Sequence, residues 1–208
     1  MRRAGATAPT ARRPPAANPW VTAPARRAPD TPPPAGPRPA PPGPQPGIPP
    51  LPVTEQLPRR TISRQELLTS LWWVGAHGGA GESTLERLLP GSKAAGHAWP
   101  ISPNPDRSAR VVLLARTSFS GLTAGQRALR DWASGAVAVQ LDGLVLIADA
   151  PGRLPKELRA LAELVASAAP GRSWQLPWQP DWRLAPPNLP RASYEAHDLI
   201  AHLTPKER

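Results

Sequence analysis

The sequence contains no cysteine, which excludes a disulfide framework and a thiolate metal site. It has only three lysines, and its abundance of alanine, arginine, proline and glycine is typical of a GC-rich bacterial coding sequence. No apolar run approaches the roughly 18 residues of a membrane span, so none is expected. The twin arginine Arg2-Arg3 precedes alanine, glycine, threonine and proline instead of an apolar segment. We therefore predict no secretion signal and a cytoplasmic location.

The first 60 residues differ in composition from the rest of the chain. They hold 19 of the 32 prolines, nine arginines and only two acids, a net charge of 9 − 2 = +7 out of +10 overall. Because the segment is almost free of large apolar residues, it cannot bury enough surface to offset the entropy lost on ordering. We predict a disordered Pro/Arg-rich tail over residues 1–60.

The tail admits several kinds of partner. Paired arginines on a flexible chain favour salt-sensitive attraction to nucleic acid or to an acidic partner. Proline clusters such as Pro32-Pro33-Pro34 can dock on an aromatic groove of a protein partner. A solvated linker without a partner fits the composition equally well, so the sequence leaves these alternatives open.

Past residue 60, apolar runs typical of buried strands alternate with amphipathic stretches. This order predicts an α/β domain over residues 61–187, with a mostly parallel sheet and flanking helices. A C-terminal extension, 188–208, has room for a short helix. The predicted strands are 71–75, 97–101, 111–115, 144–148 and 174–176. The predicted helices are a short one from the capping box Ser63–Glu66 to residue 68, then 83–89, 123–133 and 155–168.

A glycine-rich loop joins the first of these strands to a helix. In a phosphate-binding loop, backbone N–H groups cradle phosphates, a lysine reaches them, and a Ser/Thr hydroxyl holds Mg²⁺. Gly78, Gly79 and Gly81 permit close approach of the backbone to an anion. Glu82 stands at the lysine position. An acid there repels a triphosphate, since two unit charges about 4 Å apart interact by roughly 4 kcal/mol at an effective dielectric near 20.

Residues 77–84, His-Gly-Gly-Ala-Gly-Glu-Ser-Thr, resemble the deviant Walker A loop of the ParA/MinD family of ATPases, written K-G-G-x-G-K-[ST]-[ST]. The order of the later strands and helices is similar, and the resemblance covers roughly residues 70–185. It implies a reduced P-loop NTPase-like fold, with ATP and Mg as ligands and nonspecific DNA binding. Ser83 and Thr84 match the hydroxyl positions of the loop, and Ser83 would contact Mg²⁺ if a Mg-nucleotide binds.

The departures from that pattern concern charge. His77 and Glu82 replace both lysines of the family loop. Arg116 stands where the family has the strand-end acid that orders Mg²⁺ and water, and Asp149, which ends a buried strand, lies one strand too late in the strand order. We therefore assign no catalytic residue and treat His77, Arg116 and Asp149 as accessory positions of a vestigial or residual nucleotide site.

Three interpretations of the loop remain: an inherited turn without a ligand, residual nucleotide or anion binding, and hydrolysis. Glu82 could also form a salt bridge with Arg116 or Arg153 across the vacated phosphate site. The leading hypothesis is a noncatalytic P-loop-derived interaction or regulatory module, linked to DNA partition, conjugation or secretion. The alternative is a nucleotide-binding switch in which Arg116, Arg153 or a partner supplies the missing positive charge.

Overall fold

The computed structural model describes Gly43, Gln45 and residues 47–204. All of them belong to one compact unit, Ala40–Arg208. Most of the predicted basic tail, and the last four residues of the chain, lie outside the described residues.

The described part contains two parallel sheets. Its strands are β1 (Arg59–Thr61), β2 (Leu71–Gly75), β3 (Ser92–Ala94), β4 (Trp99–Ile101), β5 (Ala109–Arg116), β6 (Val139–Ile147) and β7 (Arg172–Leu176). Five of them form the main sheet in the order β3-β2-β5-β6-β7, and every neighbouring pair is parallel. Strands β1 and β4 form a separate two-stranded parallel sheet. The prediction of an α/β fold with a mostly parallel sheet is confirmed.

Helices cover both faces of the main sheet. They are α1 (Glu82–Leu88), α2 (Phe119–Ala133), α3 (Lys156–Ala168), α4 (Asp181–Leu184) and α5 (Tyr194–Leu203), with short 3-10 helices at Val53–Glu55, Glu66–Leu68 and Leu189–Arg191. The apolar sides of α2 and α3 share one core with the sheet, and those of α1 and α5 share the other. Within the described residues, no helix is long and apolar enough to span a membrane.

The central strands are buried on both sides, as their uninterrupted apolar runs predicted. Trp72 and Trp73 show the consequence, because alternate residues of a strand point to opposite faces. Trp72 lies in the core beneath α2 and α3, and Trp73 lies in the core beneath α1 and α5. The indole Nε1 of Trp73 donates to Ser92 Oγ at 2.8 Å, which ties β2 to the strand at the sheet's edge.

Several element boundaries differ from the predictions. Helix α2 begins at Phe119 rather than at 123, because Ser118 caps it by accepting from the Gly121 N–H at 3.2 Å. Thr123, predicted as the cap, lies inside the helix, where its hydroxyl donates to the Phe119 carbonyl. The strand predicted over 97–101 covers only Trp99–Ile101 and belongs to the small sheet.

The folded part also begins earlier than residue 61. Leu51 and Leu57 are buried, and β1 pairs with β4 in the small sheet. The sequence signal is weak here because prolines and arginines surround the few apolar residues.

The predicted capping box is present after β1. The Glu66 N–H donates to Ser63 Oγ, and the Ser63 N–H donates to the Glu66 carboxylate at 2.8 Å. Arg60 and Lys93 bind the same carboxylate from two sides. The backbone donor and these two cations together lower the pKa of Glu66 to about 2.

A buried carboxylate links α2 to the small sheet. Asp131 is fully buried, and its Oδ2 accepts from the Trp99 indole at 2.9 Å. Arg59 approaches Oδ1 to 3.6 Å, and Oδ1 has no hydrogen-bond partner among the described residues. Burial raises the pKa of Asp131, although the indole and Arg59 oppose the shift.

Substitution of Asp131 should separate these effects. We expect Asp131→Ala to lower the free energy of unfolding by about 1–3 kcal/mol, because it leaves the buried Trp99 indole without an acceptor. Asp131→Asn retains an acceptor and should be milder. Because burial raises the pKa of Asp131 above 3.8 in the folded state, this carboxyl group contributes stability to the wild type at low pH. That contribution is lost as the pH rises through the folded-state pKa. In urea unfolding between pH 4 and pH 7, the free energy of unfolding of Asp131→Asn relative to the wild type should therefore increase with pH. A difference that does not change with pH would contradict the raised pKa of Asp131.

Candidate functional site

The glycine-rich loop, residues 76–81, joins β2 to α1. Gly79 and Gly81 have φ angles of 77° and 112°, in the left-handed region that glycine tolerates best. A Cβ at Gly81 would also lie 2.9 Å from Cδ1 of Ile147, whereas one at Gly78 would meet nothing within 4 Å. Two of the three predicted glycines are therefore required by the shape of the loop itself.

Several backbone N–H groups of the loop have no acceptor among the described residues. Within the described residues, nothing accepts a hydrogen bond from the N–H groups of Gly78, Gly79, Gly81, Glu82 or Ser83. Adjacent free N–H groups of this kind form a concavity that suits an anion. The loop thus carries backbone donors that the described part of the domain does not use.

The Glu82 side chain binds the protein's own backbone. Its Oε1 accepts from the Gly75 N–H at 2.8 Å, and both carboxylate oxygens accept from the His97 N–H at 3.1 and 3.2 Å. Glu82 forms no salt bridge with Arg116 or Arg153 in the described structure, so that expectation is wrong. The backbone donors reach the carboxylate because Glu82 lies at the first helical position, beside the end of β2.

His97, which the sequence did not single out, completes this group. Its φ of 58° is the only positive φ of a non-glycine residue in the described chain. Its Nδ1 lies 2.7 Å from the Gly75 carbonyl, and since a carbonyl only accepts, Nδ1 must donate. Gly75, Glu82 and His97 therefore form a closed hydrogen-bonded group, here called the Glu82 clasp. No local pattern could reveal it, because its members are distant in sequence.

His77 occupies the gap between the ends of β2 and β5. Its Nε2 accepts from the Arg116 N–H at 3.1 Å, and its Nδ1 donates to the Gly78 carbonyl at 2.9 Å. These partners require the neutral tautomer with the proton on Nδ1. Gly121 of α2 makes room for the ring, because a Cβ there would lie 3.0 Å from His77 Nε2 and 2.4 Å from the Arg116 carbonyl oxygen.

Arg116, at the end of β5, lies across the loop. Its Nε donates to the Gly79 carbonyl at 3.3 Å, and its Nη1 donates to the Ala148 carbonyl at 2.9 Å. The guanidinium thus holds the loop against the end of β6. It also places a positive charge beside the free N–H groups of the loop.

The topology brings these residues to the carboxyl-terminal edge of the main sheet, beside β2. The chain leaves β2 for β3 on one side, whereas β5 lies on the other side of β2. Helices α1 and α2, which follow β2 and β5, cover opposite faces of the sheet. In open parallel sheets, ligands bind outside the carboxyl ends of the strands at such a reversal. The predicted loop residues and Arg116 meet there.

The remaining predicted site residues are placed less favourably for binding a nucleotide or a metal ion. Ser83 is exposed, and its hydroxyl makes no hydrogen bond within the described structure. Thr84 donates its N–H to the Gly81 carbonyl at 3.1 Å, as part of the first turn of α1. Asp149 follows β6, which β5 separates from β2, and its N–H is held by the Thr117 hydroxyl at 3.2 Å. Among the described residues, no group of three or more His, Cys, Asp or Glu side chains could hold a metal ion.

Comparison with known proteins places the chain in a family. No curated protein and no solved structure matches the chain. A family model matches residues 69–194, a range that includes the main sheet, the glycine-rich loop and the Glu82 clasp. Because the match extends over more than half of the sequence, the chain belongs to a family of unknown function (DUF6668).

Proposed function

We propose that this domain is a noncatalytic relative of P-loop NTPases and acts as an interaction or regulatory module. The observation that carries the proposal is the Glu82 clasp. At the position where a P-loop lysine would reach a phosphate, the carboxylate of Glu82 is bound to two backbone N–H groups of the domain. The side chain therefore serves the fold at this position and places negative charge near the cradle.

The strand-end position of β5 supports the same conclusion. P-loop enzymes hold Mg²⁺ with an acid and a loop hydroxyl. Here β5 ends in Arg116, whose guanidinium binds two backbone carbonyls. A cation at this point repels Mg²⁺ instead of binding it. The loop geometry of a nucleotide site is thus combined with charges that oppose Mg-dependent hydrolysis.

Calorimetry and turnover assays test this proposal. We expect the full-length protein to release no heat with millimolar ATP, ADP or GTP, with or without Mg²⁺, and to produce no phosphate from ATP. Ser83→Ala should change neither result, because the hydroxyl is not expected to hold a metal. Mg-dependent turnover by the wild type that disappears in Ser83→Ala would overturn the proposal.

A second candidate is a nucleotide-binding switch without a lysine. It is favoured by the free N–H groups of the loop and by the position of the Arg116 guanidinium beside the Gly79 carbonyl. In this case Arg116 would supply the positive charge that the lysine normally provides. Micromolar ATP binding without turnover, lost in Arg116→Ala and retained in Arg153→Ala, would support this candidate over the first.

A further inference from the structure

A groove of about 860 Å³ lies along the outer edge of the main sheet and extends over the carboxyl ends of β5 and β6, where Thr117 and Ala148 line it. Every residue of β7 lines it. The start of α3 contributes Pro155 and Leu158, and the start of α5 contributes Tyr194 and Glu195. Because α3 and α5 pack on opposite faces of the sheet, the groove encloses the free edge of β7.

The pairing of β7 with β6 determines which backbone groups face the groove. The Leu176 carbonyl accepts from the Ala148 N–H at 2.9 Å, so the backbone of Leu176 faces β6. Backbone groups two residues apart on a strand face the same way, and Trp174 therefore also faces β6. The N–H and C=O groups of Ser173 and Gln175 face outward. Within the described residues, no hydrogen bond satisfies these four groups.

The side chains around this edge are mainly apolar. Leu158 lies on the α3 side, and Trp174 and Leu176 lie in the core that α5 covers. Phe119 and Tyr194 also line the groove, although 69% and 80% of their surfaces are exposed. Large exposed aromatic side chains are enriched at binding surfaces.

The charges around the groove favour a basic partner. Arg172 and Asp198 pair at 2.5 Å and neutralise each other. Asp149 and Glu195 form no ion pair with described residues, and Arg153 is the single unpaired cation in the described lining. Unpaired carboxylates therefore outnumber unpaired cations.

We propose that the groove binds an extended, apolar peptide segment of a partner protein, flanked by a basic residue, which adds a sixth strand to the sheet beside β7. The outward N–H and C=O groups of Ser173 and Gln175 would pair with the backbone of the segment, as in other strand-addition complexes. Side chains of the segment would alternate between the α3 side and the α5 side of the groove. The proposal does not depend on the glycine-rich loop, because no loop residue lines the groove.

A second copy of the chain fits this edge less well. The starts of α3 and α5 flank β7, one on each face of the sheet. This arrangement leaves room for a single added strand. When the β7 edges of two copies pair, the helices of the two copies are brought together. Four of the eight exposed positions of α3 are charged, namely Lys156, Glu157, Arg159 and Glu163, and Leu164 is the one large apolar side chain among the other four. Such a surface gives the helix of a second copy few large apolar side chains to bury.

Selection from a phage-displayed library of random linear peptides tests the proposal. Full-length protein should select apolar, β-branched sequences with a basic residue. Gln175→Pro should weaken their binding by about tenfold or more, because it removes the outward N–H, and proline is tolerated on an edge strand. Gln175→Ala retains the N–H and should bind normally. Gln175→Pro can also weaken β7 itself, so a second test leaves the protein unchanged. N-methylation of the alternate peptide nitrogens that face β7 should abolish binding of the selected peptides to the wild type.

Several outcomes would overturn the proposal. These are a selection that yields no peptide, equal binding by the Gln175→Pro and Gln175→Ala variants, and undiminished binding of N-methylated peptides. A wild-type dimer that Gln175→Pro converts to a monomer would instead assign the edge to a second copy. None of these results bears on the nucleotide assays, so the two proposals can fail separately.

Discussion

Glu82→Lys is expected to destabilise the domain by about 2–4 kcal/mol. In the wild type, the carboxylate accepts from the N–H groups of Gly75 and His97, and Gly75 is buried. A lysine ammonium has only donors, so both N–H groups would lose their acceptor. An unsatisfied buried donor costs about 1–3 kcal/mol, and water can reach part of this site because Glu82 and His97 are half-buried.

Two control variants separate hydrogen bonding from charge. Glu82→Gln retains an acceptor oxygen and should lose less than half as much stability. Glu86→Lys makes the same change of charge on the same helix, at a side chain without a described hydrogen bond or ion pair, and should change stability little. Urea unfolding followed by tryptophan fluorescence gives the comparison. Equal stability of Glu82→Lys and Glu86→Lys would contradict the structural role of the clasp.

The structural role of Glu82 changes how the Glu82→Lys variant should be interpreted. From the sequence, Glu82→Lys is a candidate for restoring phosphate binding. In the structure, the substitution also removes the acceptor that ties α1 to Gly75 and His97. A variant that fails to bind ATP is therefore informative only after its folding has been measured.

Gly121→Ala is expected to destabilise the domain by about 1–3 kcal/mol, although alanine normally stabilises a helix relative to glycine by up to about 1 kcal/mol. The new Cβ would lie 2.4 Å from the Arg116 carbonyl oxygen and 3.0 Å from His77 Nε2. The carbonyl belongs to the backbone at the end of β5 and cannot rotate away. Helix α2 or the end of β5 must therefore move, and the His77 contact with the Arg116 N–H should weaken.

Gly78→Ala is the matched control, because a Cβ there meets nothing within 4 Å. Its effect should stay within about 0.5 kcal/mol. Nitrogen NMR of the imidazole gives a second readout, since loss of the Arg116 contact should shift the His77 Nε2 resonance in the Gly121 variant alone. If the Gly121→Ala protein is as stable as the wild type and its His77 Nε2 resonance is unchanged, the space between Gly121, His77 and the Arg116 carbonyl oxygen accommodates a Cβ. That result would contradict the prediction.

The sequence predicts the main sheet well because burial on both faces leaves a strong local signal. The apolar runs in β2, β5 and β6 identify three central strands, and the proline before α3 marks its start. The short strands β1 and β3 were not predicted. They have three residues each and contain few apolar side chains, so neither length nor periodicity distinguishes them from loops.

The backbone shape of the glycine-rich loop was predictable for the same physical reason. The glycines of the loop are recognisable locally, because their spacing reflects a backbone shape within one turn. The partners of Glu82 and Arg116 are not local, since His97 and Ala148 come close only when separate parts of the chain fold together. From charge alone, a salt bridge was the natural expectation for Glu82. In the structure, the backbone N–H groups of Gly75 and His97 bind its carboxylate instead.

The order of the strands also has a consequence for synthesis on the ribosome. Strand β7 and helix α5 are the last parts of the described fold to emerge, so β6 remains an open edge until residue 176 has left the exit tunnel. Until α5 follows, the sheet face that it covers lacks Leu199, Ile200 and Leu203. Nascent chains with such an exposed apolar face are prone to aggregate. The last 30 or so residues of the described fold must therefore be synthesised before the edge of β6 and this apolar face of the sheet are covered.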